Sequence, residues 1–359
     1  MKKSHHAPVR GHAHVGCPVC TIIPSHMLRH LAQNGPAHLR EQTLQTLQQS
    51  ERLRGQRDML AYLGAVAVGT PAGVKRRTIY NLAHGTNLPG TLVRGEGAPK
   101  SKDVQINEAY DYSGVTYDFY SKVFGRNSVD NKGMRLDSSV HYSSSYDNAF
   151  WNGAQMVYGD GDGTIFQRFT KCLDVIGHEL THGVTQYEAG LAYQGQSGAL
   201  NESLSDVFGS MVKQWKKKQT AAQADWLIGE GLLAKGIKGV ALRSMKAPGT
   251  AYDDPQLGKD PQPANMKDYV KGSADNGGVH TNSGIPNHAF YLVATQLGGN
   301  SWDKAGKIWY DTLCNILQSN ATFVDAANGT IRSAGILFGV ASNEQNAVKS
   351  AWQQVGVIK

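Results

Sequence analysis

Two histidines in the segment His178-Glu179-Leu180-Thr181-His182 restrict this chain more than any other feature. In a helix their spacing is one turn, so both imidazoles leave the same face and can share one metal ion. Neutral imidazole suits zinc, and a catalytic zinc keeps three protein ligands and an open position for water. Glu179, beside the first histidine, can take a proton from that water. A surface helix with two incidental histidines would look the same, so a third ligand has to be found. Asn201-Glu202-Ser203-Leu204-Ser205-Asp206 opens a predicted helix further along the chain. Glu202 can face the metal, and Asp206, one turn on, can hold the outer nitrogen of a ligand histidine. Taken alone, Glu202 reads better as an exposed acid favoured by the helix dipole.

The segments around this motif divide the chain. At 359 residues it is long enough for two domains with real cores. Leu39, Leu44, Leu47 and Leu53 predict an amphipathic helix from about residue 31 to Arg54, and Ala61 to Gly73 has the composition of a linker. From Thr78 to about Gly163, short β-prone pieces alternate with breaks such as Asn131-Lys132-Gly133 and Asp160-Gly161-Asp162-Gly163. The strands expected are 77–80, 133–136, 140–142 and 155–158, with a helix at 108–124. After Asp174 the chain reads helical: 174–188, 202–217, 286–297, 305–318, 323–338 and 343–355. The fold class is therefore α+β, with a β-rich half followed by an α-helical half.

Composition removes some functions. The formal charge is +7, but Lys216-Lys217-Lys218 is the only tight basic run in the folded body. It reads as a solvated helix face, and no RNA-binding aromatic motif or zinc-finger spacing accompanies it, so no nucleic-acid partner is expected. No apolar run approaches the roughly 20 residues needed to span a bilayer, so no membrane partner is expected either. Met1-Lys2-Lys3 is followed by His5, His6, Arg10, His12 and His14 rather than an apolar stretch, so no cleaved signal peptide is recognised. Four cysteines over this length make no disulfide scaffold.

The motif does not stand alone. With Gly190-Leu191-Ala192-Tyr193 and Gly198-Ala199-Leu200 through Asp206, it resembles the thermolysin-like zinc metallopeptidases. Asn148-Ala149-Phe150-Trp151-Asn152-Gly153, Tyr158 to Gly163, Leu242-Arg243-Ser244-Met245 and Asp275 to Gly284 extend the resemblance from about Arg77 to the carboxyl end. It implies a thermolysin-like two-domain fold with the zinc helix between the halves, and a zinc endopeptidase acting on proteins or peptides as a monomer. His178, His182 and Glu202 would hold Zn2+, with Glu179 as general base. Tyr193 and His280 would stabilise the oxyanion, Asp275 would orient His280, and Asp206 and Asn201 would support the ligand histidines. Asn148 and the backbone near Ala149 would bind the substrate main chain, and Arg243 the carbonyl after the cut. Phe166, Phe169, Val175, Ile228 and Leu242 fall at the lining of the family's pocket there, which implies a preference for bulky apolar residues. A non-catalytic binding protein on the same fold is disfavoured because every chemical group is present, and an exopeptidase because no motif captures a chain end.

The front of the chain narrows the match. Ile22-Ile23-Pro24-Ser25-His26-Met27-Leu28 resembles the short leader of protealysin-like members, with Ser25 in place of a second proline. A self-cleaved inhibitory propeptide follows, with the cut between about Ser50 and Arg77. The expected organisation is a His/Cys-containing tail at 1–20, propeptide and linker at 21–76, a β-rich catalytic domain at 77–187 and a helical one at 188–359. Secretion follows by resemblance, and a cytoplasmic enzyme is the alternative. Three features depart from the family. Asp174, Asp225 and Glu230 match its calcium cluster, but Lys213 and Leu227 replace two acids, so Lys213 is expected to substitute for Ca2+, leaving one weak site or none. Val240 lacks the acid of another calcium site, and the chain is longer than thermolysin around Pro248–Pro263. Cys17-Pro18-Val19-Cys20, with His12 and His14, admits three readings: an accessory metal site, a thiolate cap on the catalytic zinc, or an inert tail. Cys172 and Cys314 read as packed thiols.

Overall fold

A computed structural model describes residues 20–64, 70–144 and 146–359. Strands β1 (Cys20–Thr21), β2 (Arg77–Asn81), β3 (Thr91–Arg94), β4 (Leu136–Val140), β5 (Ala149–Trp151) and β6 (Met156–Tyr158) form one sheet in the order β1-β5-β6-β4-β2-β3. Pairing is parallel for β2/β4 and β4/β6, and antiparallel for β2/β3, β5/β6 and β1/β5. The front of the chain thus enters the sheet as its edge strand, opposite Phe150 and Trp151. Helix α1 (Ser25–Asn34) and helix α2 (Ala37–Gly64) follow it. The single helix expected from about residue 31 is therefore two. Pro36 lacks the N–H and ring freedom to continue α1, whose last turn closes through the Gly35 amide on the Leu31 carbonyl at 2.8 Å. Helix α2 runs on to Gly64, into the stretch read as linker.

Helix α3 (Val104–Phe124) starts where Asp103 accepts from the Gln105 amide at 2.8 Å and stops at Gly125, whose φ of 69° only glycine adopts cheaply. It starts four residues earlier than its apolar spacing implied. The strand expected at 133–136 lies instead at Leu136–Val140, after the turn at Asn131-Lys132-Gly133. Behind the sheet lie α4 (Leu173–Tyr187) and α5 (Gly195–Lys217). Both are buried along most of their length, and two glycines bring their backbones together. A Cβ on Gly209 would stand 2.5 Å from the Asp174 carbonyl, and one on Gly177 would stand 3.1 Å from Gly209 Cα. That close approach lets side chains of α5 reach the histidines of α4.

Helix α5 begins seven residues before the expected start, and Glu202 lies inside it rather than at its end. Gly195-Gln196-Ser197-Gly198 looks like a turn by propensity, but tertiary packing overrides it. A Cβ at Gly198 would meet Val279 Cγ1 at 2.5 Å, so the glycine is needed by the contact. Lys216 and Lys217 sit in the last turn of α5, where the helix dipole favours cations. The two-residue strands β7 (Leu227–Ile228) and β8 (Arg243–Ser244) pair beside it. Helices α6 (Ala274–Asn282), α7 (Gly284–Leu297), α8 (Ala305–Asn315), α9 (Phe323–Phe338) and α10 (Asn343–Gln354) complete the helical domain. Helix α9 has the predicted bounds, fixed by a capping box between Thr322 and Asp325 and by Gly339. The architecture is a mixed sheet followed by an α-helical domain, as expected. No helix of the described residues is long and apolar enough to cross a membrane.

Candidate metal centre

His178 and His182 project from α4 with their Nε2 atoms 3.0 Å apart. Their outer nitrogens settle the tautomers. His178 Nδ1 lies 2.7 Å from the Asp206 carboxylate, which can only accept, so it donates. His182 Nδ1 lies 2.8 Å from Asn201 Oδ1, and Asn201 Nδ2 is committed to the Leu191 carbonyl at 3.2 Å, so it donates too. Ser205 Oγ stands 3.0 Å from the same nitrogen. Two Nε2 lone pairs therefore face one point, with a Glu202 oxygen 3.5 Å from each. Glu202 Oε2 has no hydrogen-bond donor, although the residue is only 1% exposed. Lone pairs and a carboxylate converging in a buried site need a cation, and imidazole with carboxylate fits zinc. Burial disfavours charge on His178, yet Asp206 and Glu202 outweigh it and raise its pKa to about 9. Burial likewise works against an ionised Glu202, but His280, His182 and His178 hold it well below the carboxylate range.

Glu179 is fully buried beside the histidines. One of its oxygens accepts from the Trp151 amide at 3.0 Å, and the other has no partner. Burial pushes its pKa up to about 8. Asp206 is the hub of the centre. Besides His178 it accepts from Arg243 Nε and Nη2 at 2.8 and 2.9 Å and from Asn287 Nδ2 at 2.9 Å. Burial opposes its charge, but Arg243 prevails and lowers its pKa to about 2. Asn287 was missed by sequence reasoning, since a lone amide near a helix start carries no signal of its own.

His280 approaches from α6. Its Nδ1 and its main-chain amide both point at Asp275, at 2.8 and 2.9 Å. That geometry requires Asp275, Asn276, Gly277 and Gly278 to adopt positive φ in succession. For the two non-glycine residues this costs roughly 1–2 kcal/mol each. Burial lowers the pKa of His280, but Asp275 and Glu202 raise it above its usual value. Tyr193 donates to Glu202 and lies 3.2 Å from His280 Nε2. Gln262 Nε2 holds the His280 carbonyl at 2.8 Å and was also not foreseen.

The cleft is filled by the front of the chain. The Ile22 amide donates to the Ala149 carbonyl at 3.1 Å, and Ile23 exchanges hydrogen bonds with the Asn148 side chain at 2.9 and 3.3 Å. Arg243 Nη1 donates to the Ile22 carbonyl at 3.2 Å, and His280 Nε2 lies 3.0 Å from the Thr21 carbonyl. Ile22 is fully buried in the same apolar cluster as Phe166, Phe169, Val175, Ile228 and Leu242. Helix α1 then leans on the stretch that is long relative to thermolysin. His26 Nε2 meets the Tyr252 hydroxyl at 3.1 Å, and His30 Nε2 meets the Pro255 carbonyl at 3.2 Å. Cys17, His12 and His14 lie outside the described residues. Cys172 and Cys314 are not disulfide-bonded, and burial pushes both thiols up.

The other acidic cluster is arranged differently. Lys213 Nζ donates to Asp174 at 3.0 Å, Asp225 at 2.8 Å and the Leu227 carbonyl at 2.7 Å. Glu230 stands apart, half-exposed, with Lys217 at 3.7 Å. Val240 is exposed.

Comparison with known proteins agrees with this geometry. The catalytic-domain model of the thermolysin metallopeptidases matches residues 72–186, and their alpha-helical-domain model matches residues 189–357. An extracellular metalloprotease of Pectobacterium carotovorum subsp. carotovorum is 54% identical over 343 residues, covering 95% of this chain and 97% of that one. A thermolysin of Alicyclobacillus acidocaldarius is 43% identical over 288 residues, covering 77% of this chain and 50% of its own. The solved precursor of protealysin, a metalloproteinase from Serratia proteamaculans, is 56% identical. It superposes with a TM-score of 0.87, covering 94% of this chain and 100% of that structure.

Proposed function

The chain belongs to the thermolysin family of zinc endopeptidases, and we propose that it cuts before bulky apolar residues with Glu179 as general base. His178, His182 and Glu202 would hold the zinc, which supplies Lewis acidity to the scissile carbonyl and to water. Glu179 takes the proton of the attacking water through its unpartnered oxygen and returns it to the leaving amine. His280, oriented by Asp275 through its Nδ1, and Tyr193 donate to the oxyanion as charge develops there. Asp206 and Asn201 keep the ligand histidines in one tautomer, and Asn148, Ala149 and Arg243 hold the substrate main chain.

One observation carries the reading: an extended segment of the chain's own front, Cys20–Ile23, crosses the site antiparallel to β5, with the Thr21 carbonyl at His280 and the Ile22 carbonyl at Arg243, as a substrate main chain would lie. Ile22, the residue after the Thr21 carbonyl at His280, supports the apolar preference because its side chain is fully buried within the apolar core that also holds Leu242. The segment also supports an inhibitory propeptide that the mature enzyme removes by self-cleavage. Within the window from Ser50 to Arg77 the chain is helical to Gly64, so we place the cut beyond that residue. The division into a tail (1–20), propeptide and linker (21–76) and two catalytic domains (77–187 and 188–359) belongs to the same proposal. So do export, for which the relatives named extracellular speak, and action as a monomer. Lys213 takes the place of a calcium ion among Asp174 and Asp225, with Glu230 outside the group.

The processed enzyme should hydrolyse casein, and Glu179→Gln should lower the rate by about 10²–10⁴-fold while zinc content stays the same. Activity that survives this substitution defeats the mechanism, and a folded, zinc-loaded chain with no activity in any form favours a binding protein. A peptide library varied at the residue after the cut should show apolar preference; equal cleavage before acidic residues would overturn it.

A further inference from the structure

Cys20 is the first residue of β1, two residues before Ile22, and its side chain turns inward. It packs with Tyr193 and Val279 and is fully buried. Its Sγ, a ring nitrogen of His182 and an oxygen of Glu202 all lie within 4.8 Å of one another. Bonds of about 2.0–2.3 Å from one zinc to N, O and S hold ligand atoms within about 4.4 Å of each other, so a small settling brings all three onto one ion. The independent sign of a ligand is Glu202 Oε2, buried and without a hydrogen-bond donor at this same point.

A second observation makes the sulfur position informative. Thr21 and Ile22 are bound as a peptide to be cut: the Thr21 carbonyl faces His280, the Ile22 carbonyl meets Arg243 and the Ile22 amide meets Ala149. The side chain of Ile22 is fully buried in the apolar core, the kind of residue proposed to be preferred after the cut. An active enzyme should hydrolyse this bond, adding one water across it to leave a Thr21 carboxylate and an Ile22 amine. A precursor that keeps the segment in place needs a reason why water does not attack.

We propose that Cys20 is the fourth zinc ligand of the unprocessed chain, its thiolate occupying the position that water takes in the mature enzyme. The thiol gives its proton to solvent as it takes the metal. The site then has four protein ligands, the closed arrangement of a structural zinc, and the Thr21–Ile22 bond is held in register but intact. The inference rests on the zinc site of His178, His182 and Glu202.

The test uses the full chain carrying Glu179→Gln, which stops processing, loaded with cobalt in place of zinc. One cobalt per chain and a near-ultraviolet thiolate-to-cobalt charge-transfer band are expected. Adding Cys20→Ser should remove the band and keep the cobalt, whereas Cys17→Ser should keep both. One bound cobalt without a thiolate band, or a band lost with Cys17 rather than Cys20, overturns the role of Cys20 and leaves the His/His/Glu site standing. No bound cobalt overturns that site as well. In the otherwise unaltered chain, Cys20→Ser should release a fragment ending at Thr21 and leave a new amino terminus at Ile22, followed by mass spectrometry. If nine in ten sites are capped, its rate rises about tenfold, and an unchanged rate contradicts the proposal.

Discussion

The seam between α4 and α5 buries two groups of carboxylates, and they are finished in opposite ways. At one end, Asp174 meets Lys213, which also reaches Asp225 and the Leu227 carbonyl, so the three protons of one ammonium have three acceptors. At the other end, Glu202 and Glu179 each keep an oxygen without a donor, and two imidazole lone pairs face them. The first group carries its own cation in the chain, and the second requires one from outside. Asp206 shows that the second group is not simply short of partners. Its two oxygens take four hydrogen bonds from His178, Arg243 and Asn287. The seam therefore satisfies Asp206, which holds His178, and leaves an oxygen open on Glu202 and Glu179, the two proposed to bind zinc and to move a proton.

Breaking the closed group should have the largest effect on stability. Lys213→Met leaves the buried Asp174 without its cation, while Asp225 keeps Lys217 at 3.9 Å, and removing one partner of a buried pair costs about 3–5 kcal/mol. Chemical denaturation of zinc-loaded protein measures this; a loss below about 1 kcal/mol, as for an exposed pair, would mean that Lys213 is not what holds the group together. Weakening the open group acts on metal rather than on the fold. Asp206→Asn removes the charge behind His178 and should lower zinc affinity about 10–100-fold, read by competition with a chelator. Unchanged affinity would sever the link between the hub and the metal.

A third cluster sharpens the contrast at the smallest scale. His141 lies between Asp160 at 2.9 Å and Asp103 at 2.7 Å, a partly exposed histidine held by two carboxylates. The hydrogen bonds that it donates to Asp160 and Asp103 raise its pKa to about 9 despite partial burial. A raised folded value means that the contribution is complete below the unfolded pKa of about 6.5 and fades as pH climbs through about 9. Stability of the parent chain should fall between those values, and His141→Gln should flatten that part of the profile. An identical slope in both proteins would show that this histidine is not charged in the fold.

The same contrast explains what could be read from sequence. Helix α9 was legible to the residue because Thr322, Asp325 and Gly339 fix its ends locally. The start of α5 was not, because Gly198 is there for a contact with Val279, a residue far away in sequence. The side chains of the open centre were legible because chemistry demands particular types at particular spacings, as at His178, His182 and Glu202. Ile22 was legible only as part of a leader, and Thr21 not at all, since the contacts to His280, Arg243 and Ala149 are made by main-chain groups, which leave no mark on residue identity. Lys213 lies between these cases: its departure from an expected acid suggested an internal cation, and only the fold supplies the third acceptor, the Leu227 carbonyl.

The most direct test of the contrast is metal content measured together with melting temperature on the purified chain. One zinc and no calcium per chain are expected, with a melting temperature that falls when zinc is withdrawn and does not respond to calcium or to a chelator that spares zinc. A bound calcium whose addition raises the melting temperature strongly would contradict the account, because the group around Lys213 would then be open as well.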